Sequence, residues 1–311
     1  MVFKICKKWS RIKILLENPS KINTIAILES KSIFATGSSD SNIQLWDKIK
    51  CHRISVLKSQ QGSINKILLD KKTGNLISGG EGASLFSWNI EYEKVVRIFR
   101  GHISSINCID IHPILNVMVS GSRDNTIRIW DLRMKKEVII IKHHKDQITS
   151  VLFNNETPHL ISSSKDSRIC LWDIVAFQCT NCLISHPSGV KETKRHPTEL
   201  KFASLCAYNL NLWRLDGIKI KKFKILKNIA FFSFKNKDEF IAIDNSGWMK
   251  FYKWRNSRGF FNFRFGFFPF DQDTNKNPTS MEFNSEGDEF IICNNVGEIG
   301  LFKSKWFIQT Q

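Results

Sequence analysis

Residues 101–131 read GHISSINCIDIHPILNVMVSGSRDNTIRIWD. The stretch closes on an alternation of apolar and polar side chains, Ile127, Arg128, Ile129 and Trp130, the period-2 pattern of a strand with one buried face. GSRDNT at 121–126 stands directly before it, and tight Gly/Ser/Asp turns of this kind join short antiparallel strands. The same unit recurs along the chain. IQLWD ends at Asp47, LFSWN at Asn89 and ICLWD at Asp173, so Trp46, Trp88, Trp130 and Trp172 follow one another at intervals of 42 residues. LNLWR continues the series with Trp213, 41 residues on, MKFYK with Tyr252, 39 further, and IGLFK with Phe302 after a 50-residue interval that holds an insertion. A period of this length means stacked supersecondary units, none of which can bury its apolar face alone.

Two further markers keep step with the aromatics. The turn signal returns as GSSDSN at 37–42 and SSKDSR at 163–168. His102 precedes Trp130 and His144 precedes Trp172 by 28 residues, and Asn18 and Gln60 hold that offset before Trp46 and Trp88. Together these residues resemble the WD40 family of β-propellers. The resemblance implies an all-β, seven-bladed WD40 β-propeller with four strands per blade around a central channel. It also implies closure of the ring by an N-terminal strand, Arg11 to Leu16, beside the strand ending at Phe302. The expected organisation is a short lead at 1–10, a single propeller domain at 11–305 and a tail at 306–311.

In intact blades of this family a histidine, the turn aspartate, a strand serine or threonine and the tryptophan form a buried hydrogen-bonded chain. The matching positions are His102, Asp124, Trp130 and either Ser120 or Ser122 in blade 3, and His144, Asp166, Trp172 and either Ser162 or Ser164 in blade 4. Asp, His and Ser are also the ingredients of nucleophilic catalysis. Recurrence in two units, each ending on an indole donor, makes them structural tetrads, since satisfied buried networks rigidify a fold. The turn aspartate is replaced by Gly82, Ala207, Ser246 and Val296 in blades 2, 5, 6 and 7, which are expected to lean on apolar packing. Regularity is weakest after Gly217.

The chain has 311 residues, 42% of them hydrophobic, with 46 Lys+Arg against 29 Asp+Glu for a net charge of +17. No uninterrupted apolar run approaches the roughly 18 residues of a membrane span, and the first residues lack a cleavable leader pattern, so no membrane association is expected. Eight cysteines without such a leader point to a reducing compartment. The bias toward Lys, Ile, Asn and Phe suggests an A/T-rich, compacted genome such as a parasite's or a relict endosymbiont nucleus. Lysines gathered by codon bias make a surface basic without a nucleic-acid partner. Cys179 and Cys182 form a CxxC, half of a zinc site or a redox pair, but no second pair follows in series, and no metal or cofactor is expected. Phe260 to Phe270, FFNFRFGFFPF, reads as the outer strand of blade 6 and its exit in preference to a base-stacking platform. No phosphate-binding loop or dinucleotide fingerprint occurs. A noncatalytic interaction platform without a small-molecule substrate is the expectation.

A closer resemblance lies in WNIEYEKVVRIFRGHISSINCIDIHPILNVMVSGSRDNTIRIWDLRMKKEV at 88–138, SHPSGVKETKRHPTELKFAS at 185–204 and KKWSRIKILL at 7–16. These are similar to the pleiotropic regulator family of spliceosomal WD40 proteins. The likeness implies a nuclear subunit of the NineTeen Complex that binds splicing-complex proteins, with contact to spliceosomal RNA either direct or through other proteins. Family members usually carry a long extension before the propeller, whereas this chain begins almost at its first blade. Trp130, Asp131, Leu132 and Arg133 also resemble the WDxR box of substrate receptors for cullin ubiquitin ligases, with Arg133 as the docking residue. Ribosome-assembly scaffolds are a further alternative. In the WD40 arrangement the turn aspartates and the histidine loops share one face, which collects Arg100, Arg123, Lys145 and Lys165 over blades 3 and 4. These four are the expected site for an acidic protein segment or an RNA backbone.

Overall fold

The computed structural model describes residues 3–15, 20–28, 32–59, 62–134, 136–154, 157–184, 186, 188–207, 209–224, 229–236, 239–245, 249–253, 260–261, 277–284 and 286–310. For 3–15, 223–224, 249–251, 253, 260–261 and 304–310 only the backbone is considered.

After β1 (Phe3–Leu15), blade 1 runs β2 (Ile22–Leu28), β3 (Ile33–Ser38), β4 (Asn42–Asp47) and β5 (His52–Lys58). Blade 2 is β6 (Ile64–Leu69), β7 (Leu76–Gly80), β8 (Ser84–Asn89) and β9 (Lys94–Arg100). Blade 3 is β10 (Ile106–Ile111), β11 (Val117–Ser122), β12 (Thr126–Asp131) and β13 (Glu137–Lys142). Blade 4 is β14 (Ile148–Phe153), β15 (His159–Ser164), β16 (Arg168–Asp173) and β17 (Gln178–Ile184). Blade 5 is β18 (Glu192–Arg195), β19 (Lys201–Leu205), β20 (Asn209–Arg214) and β21 (Lys219–Lys224). The next sheet is β22 (Ile229–Phe234), β23 (Glu239–Asp244), β24 (Met249–Lys253) and β25 (Phe260–Phe261), and the last is β26 (Pro278–Phe283), β27 (Glu289–Asn294) and β28 (Ile299–Thr310) with β1 outermost. All pairings are antiparallel. Six blades have outer strands of six residues or more, while the sheet of β22–β25 is partial among the described residues, its outer strand comprising two of them. The rest of Phe260 to Phe270, like Asn18, Gln60 and Ser246, lies outside the described residues.

The innermost strands touch in cyclic order, β2 against β6, β6 against β10, and so on to β26 against β2. β1 pairs with β28 from Leu15↔Ile299 through Arg11↔Phe302 to Phe3↔Thr310, so one ladder takes in residues of the expected lead and tail; Leu16 is outside the described residues. Joining the first strand to the last sheet removes an open edge.

Local geometry repeats with the sequence. Ser41, Ala83, Asn125 and Ser167 have φ of 71, 56, 64 and 70°, the left-handed residue that ends a three-residue hairpin loop. A β-bulge interrupts the innermost strand of blades 1, 2 and 3 at Asn23, Asn65 and Asn107. Bulges re-aim a side chain. Here they turn Asn23 Nδ2 to the Ile64 carbonyl (2.9 Å), Asn65 Nδ2 to that of Ile106 (2.9 Å) and Asn107 Nδ2 to that of Ile148 (2.8 Å), stapling each blade to the next.

Apolar layers between blades form the core. A Cβ on Gly121 would lie 2.4 Å from Ile148 of the next blade, which explains glycine there. Where the tryptophan is replaced, aromatic stacking persists: Phe240 lies 4.9 Å from Tyr252 and Phe290 4.8 Å from Phe302, each pair nearly parallel. In blades 3 and 4 the residues opposite Trp130 and Trp172 are Met118 and Leu160.

Candidate interaction face

In blade 3 the structure brings His102, Ser120, Asp124 and Trp130 together and leaves Ser122 outside the chain. His102 Nδ1 is 2.9 Å from Asp124 Oδ2, His102 Nε2 is 2.7 Å from Ser120 Oγ, and Trp130 Nε1 donates to Ser120 Oγ at 2.8 Å. An ionised carboxylate only accepts, so Nδ1–H donates to Asp124, and Nε2 faces the Ser120 hydroxyl that also accepts from Trp130. Ser122 Oγ instead donates to the Ser105 carbonyl (2.9 Å) and accepts from Asp124 N (3.1 Å), bracing the turn. Blade 4 repeats this with His144 Nδ1 2.9 Å from Asp166, His144 Nε2 2.8 Å from Ser162 and Trp172 Nε1 2.8 Å from Ser162. Burial alone would raise the Asp124 carboxyl, but hydrogen bonds from His102 and Thr126 outweigh it and hold the group well below the ordinary range. At Asp166 burial is likewise outweighed, by the Lys145 and Arg168 backbone N–H groups and His144. Burial lowers His144 despite the pull of Asp166. With both aspartates spent on imidazole and turn N–H groups, and each serine between an indole and an imidazole, neither network presents a free nucleophile.

A third network was missed in the sequence because its spacing is 27 residues and its turn aspartate is absent. In blade 5, His186 Nε2 lies 2.8 Å from Ser204 Oγ, and Trp213 Nε1 donates to the same oxygen at 2.7 Å. Asn211 Nδ2 lies 3.3 Å from His186 Nδ1, where the other blades have a carboxylate. Burial, reinforced by Lys219 and Lys222, pushes His186 down to about 4.

The tetrads position the rim. Arg123 N donates to the Ser105 carbonyl (2.8 Å), Lys165 N to that of Gln147 (3.1 Å) and Lys145 N to Asp166 Oδ2 (3.0 Å), while Asn125 Nδ2 reaches the Lys145 carbonyl (3.4 Å). Loop and turn of each blade are thereby pinned together, and the two blades joined. Arg100 ends β9, just before the His102 loop. Arg100, Arg123, Lys145 and Lys165 are all exposed, and none makes an ion pair with a described residue. Ile103, beside His102, is 86% exposed among them.

Arg133 stands at the opposite end of β12 from Asp124. Its guanidinium forks onto Asp131, Nε to Oδ1 at 3.0 Å and Nη2 to Oδ2 at 2.7 Å, and with the Arg133 N–H holds that carboxyl down to about 2. A partner docking on Arg133 has to displace Asp131. Cys179 and Cys182 lie on β17, the outer strand of blade 4, where burial raises the Cys179 thiol and so works against reactivity.

The family model described as WD domain, G-beta repeat matches residues 9–47, 93–131 and 135–173. No curated protein matches the chain. WD40 propellers are usually noncatalytic scaffolds that bind protein partners. Each matched segment begins in or just before an outer strand (in β1, or just ahead of β9 or β13) and ends at Asp47, Asp131 or Asp173, the last residue of the third strand of the following blade. A sequence repeat staggered by one strand against the blades draws every blade to its neighbour and the chain's start to its end, and with its markers seated in this way the chain is a β-propeller in which these three segments are WD40 repeats.

Proposed function

We propose that this propeller is a nuclear, noncatalytic scaffold of pre-mRNA splicing, a subunit of the NineTeen Complex, and that the rim of blades 3 and 4 receives an acidic protein segment. The observation that carries the binding site is the group of Arg100, Arg123, Lys145 and Lys165, exposed and without described ion-pair partners on one face. Complementary charge there speeds encounter and sets orientation. Ile103, an exposed apolar tip among the cations, suits a peptide side chain better than a sugar-phosphate backbone. The splicing assignment rests on the likeness of 88–138 and 185–204 to the pleiotropic regulator family.

Affinity purification of the full chain, with and without Arg100→Ala and Arg123→Ala together, tests both parts. The expected result is capture of splicing proteins that the double variant weakens, with flatter salt dependence and unchanged melting. Equal recovery across the salt series would refute the face. Ribosomal precursors or a cullin-ligase adaptor in place of splicing proteins would refute the process, and capture abolished by ribonuclease would replace the acidic segment with RNA.

A further inference from the structure

The CxxC of β17 is solitary in sequence but has company in space. Cys170 on β16 stands directly across from Cys182, their sulfurs 2.7 Å apart. Two residues three apart on a regular strand point to opposite faces. Here Leu171 pairs with Asn181 and Trp172 with Cys179, so Thr180 is an extra residue, and this bulge returns Cys179 to the face of Cys182 and Cys170. A fourth donor comes from the loop entering blade 4. His143 sets its ring edge-on to Trp172 at 5.3 Å, and its donor nitrogen and the sulfurs of Cys170 and Cys179 all lie within 4.8 Å of one another. Cys170 is fully buried, Cys179 and Cys182 are half-buried, and His143 lies at the surface.

Cys182 lies outside that close group of three but touches it through Cys170, and three thiols and an imidazole drawn from two strands and a loop are the donor set of a structural zinc ion, tetrahedral and closed, with Zn–S near 2.3 Å and Zn–N of about 2.0–2.1 Å. On a tetrahedron of that size neighbouring donors are roughly 3.5–4 Å apart, so seating the ion means spreading Cys170 from Cys182 and bringing Cys182 into the group formed by His143, Cys170 and Cys179. We propose that His143, Cys170, Cys179 and Cys182 bind one zinc ion, which ties the loop entering blade 4 to the two outer strands of that blade. The site has no open coordination position and supports no catalysis. Its consequence is mechanical: the same loop carries His144 of the tetrad and Lys145 of the rim, so the ion holds the base of that face in place. The site is independent of what the rim binds.

The test uses the full chain, reduced and stripped with a chelator, then titrated with Co²⁺. The expected result is one ion per chain, with the intense visible absorption of tetrahedral cobalt and thiolate charge transfer in the ultraviolet, both lost when Zn²⁺ displaces it. Cys179→Ser and Cys182→Ser should abolish the spectrum, Cys206→Ser should leave it, and His143→Gln should weaken binding at least about tenfold. Should the serine variants not fold, alkylation of the unmodified chain decides, because Zn²⁺ should protect Cys179 and Cys182 together, whereas Cys170 is buried with or without the ion. Absence of stoichiometric metal, protection that misses Cys179 and Cys182, or a Cys170–Cys182 disulfide whose reduced form takes up no metal would overturn the proposal.

Discussion

Replacing Ser120 by alanine removes one oxygen on which two buried groups depend. Ser120 and Trp130 are fully buried and the His102 side chain is 0% exposed, so no water replaces the hydroxyl. Trp130 Nε1 loses its acceptor at 2.8 Å and His102 Nε2 its partner at 2.7 Å. Each unsatisfied buried group costs about 1–3 kcal/mol, and with partial relaxation the pair should cost about 2–4 kcal/mol. Ser122→Ala is the control: Ser122 is equally buried, but its partners are backbone groups of the half-buried Ser105 and Asp124 and not two buried side chains, so it should cost about 1 kcal/mol. Urea unfolding followed by tryptophan fluorescence reads the difference as a shift in midpoint at constant slope. If Ser120→Ala loses less than about 1 kcal/mol, or no more than Ser122→Ala, the directional chain from indole to carboxylate is wrong.

Asn65→Ala removes the bonds to Ser105 Oγ and the Ile106 carbonyl, both 2.9 Å, and should cost about 1–2 kcal/mol of stability, with hydrogen exchange rising at the junction of blades 2 and 3; unchanged exchange there refutes the staple. Because the folded pKa of His186 lies below its unfolded value of about 6.5, the native state binds fewer protons, so its contribution is complete above that pH and is lost as pH falls toward about 4. Melting temperatures of His186→Gln should therefore fall less steeply than wild type across this window, and parallel curves would exclude the group. Deleting residues 1–17 removes β1 and leaves β28 an unpaired edge, so the chain should melt earlier and aggregate; an unchanged transition would mean the ring closes without it.

Much of this architecture is local and therefore written in the chain. The 42-residue spacing of Trp46, Trp88, Trp130 and Trp172, the alternation before each tryptophan and the turn at Asp124 and Asp166 all act within about one repeat, where side-chain period and turn chemistry leave little choice. Which residues could form a tetrad was legible for the same reason. Ser120 and Ser122 could not be separated, because residues two apart on a strand share a face and only the placement of the Trp130 ring selects between them. His186 escaped because its turn aspartate is absent, and an amide from β20, Asn211 Nδ2, faces its Nδ1 instead of a carboxylate.

Composition, period and turn chemistry thus determined by themselves that the chain is a set of β repeats with polar markers. Tertiary structure decided what depends on register and on contacts between repeats: the serine each indole chooses, the asparagine staples, the pairing of β1 with β28, and the meeting of Cys170, Cys179, Cys182 and His143. The physical reason is the same in each case. A single bulged residue such as Thr180 reverses which face a side chain occupies, and whether a strand bulges is set by the strand beside it, not by the spacing of its own residues.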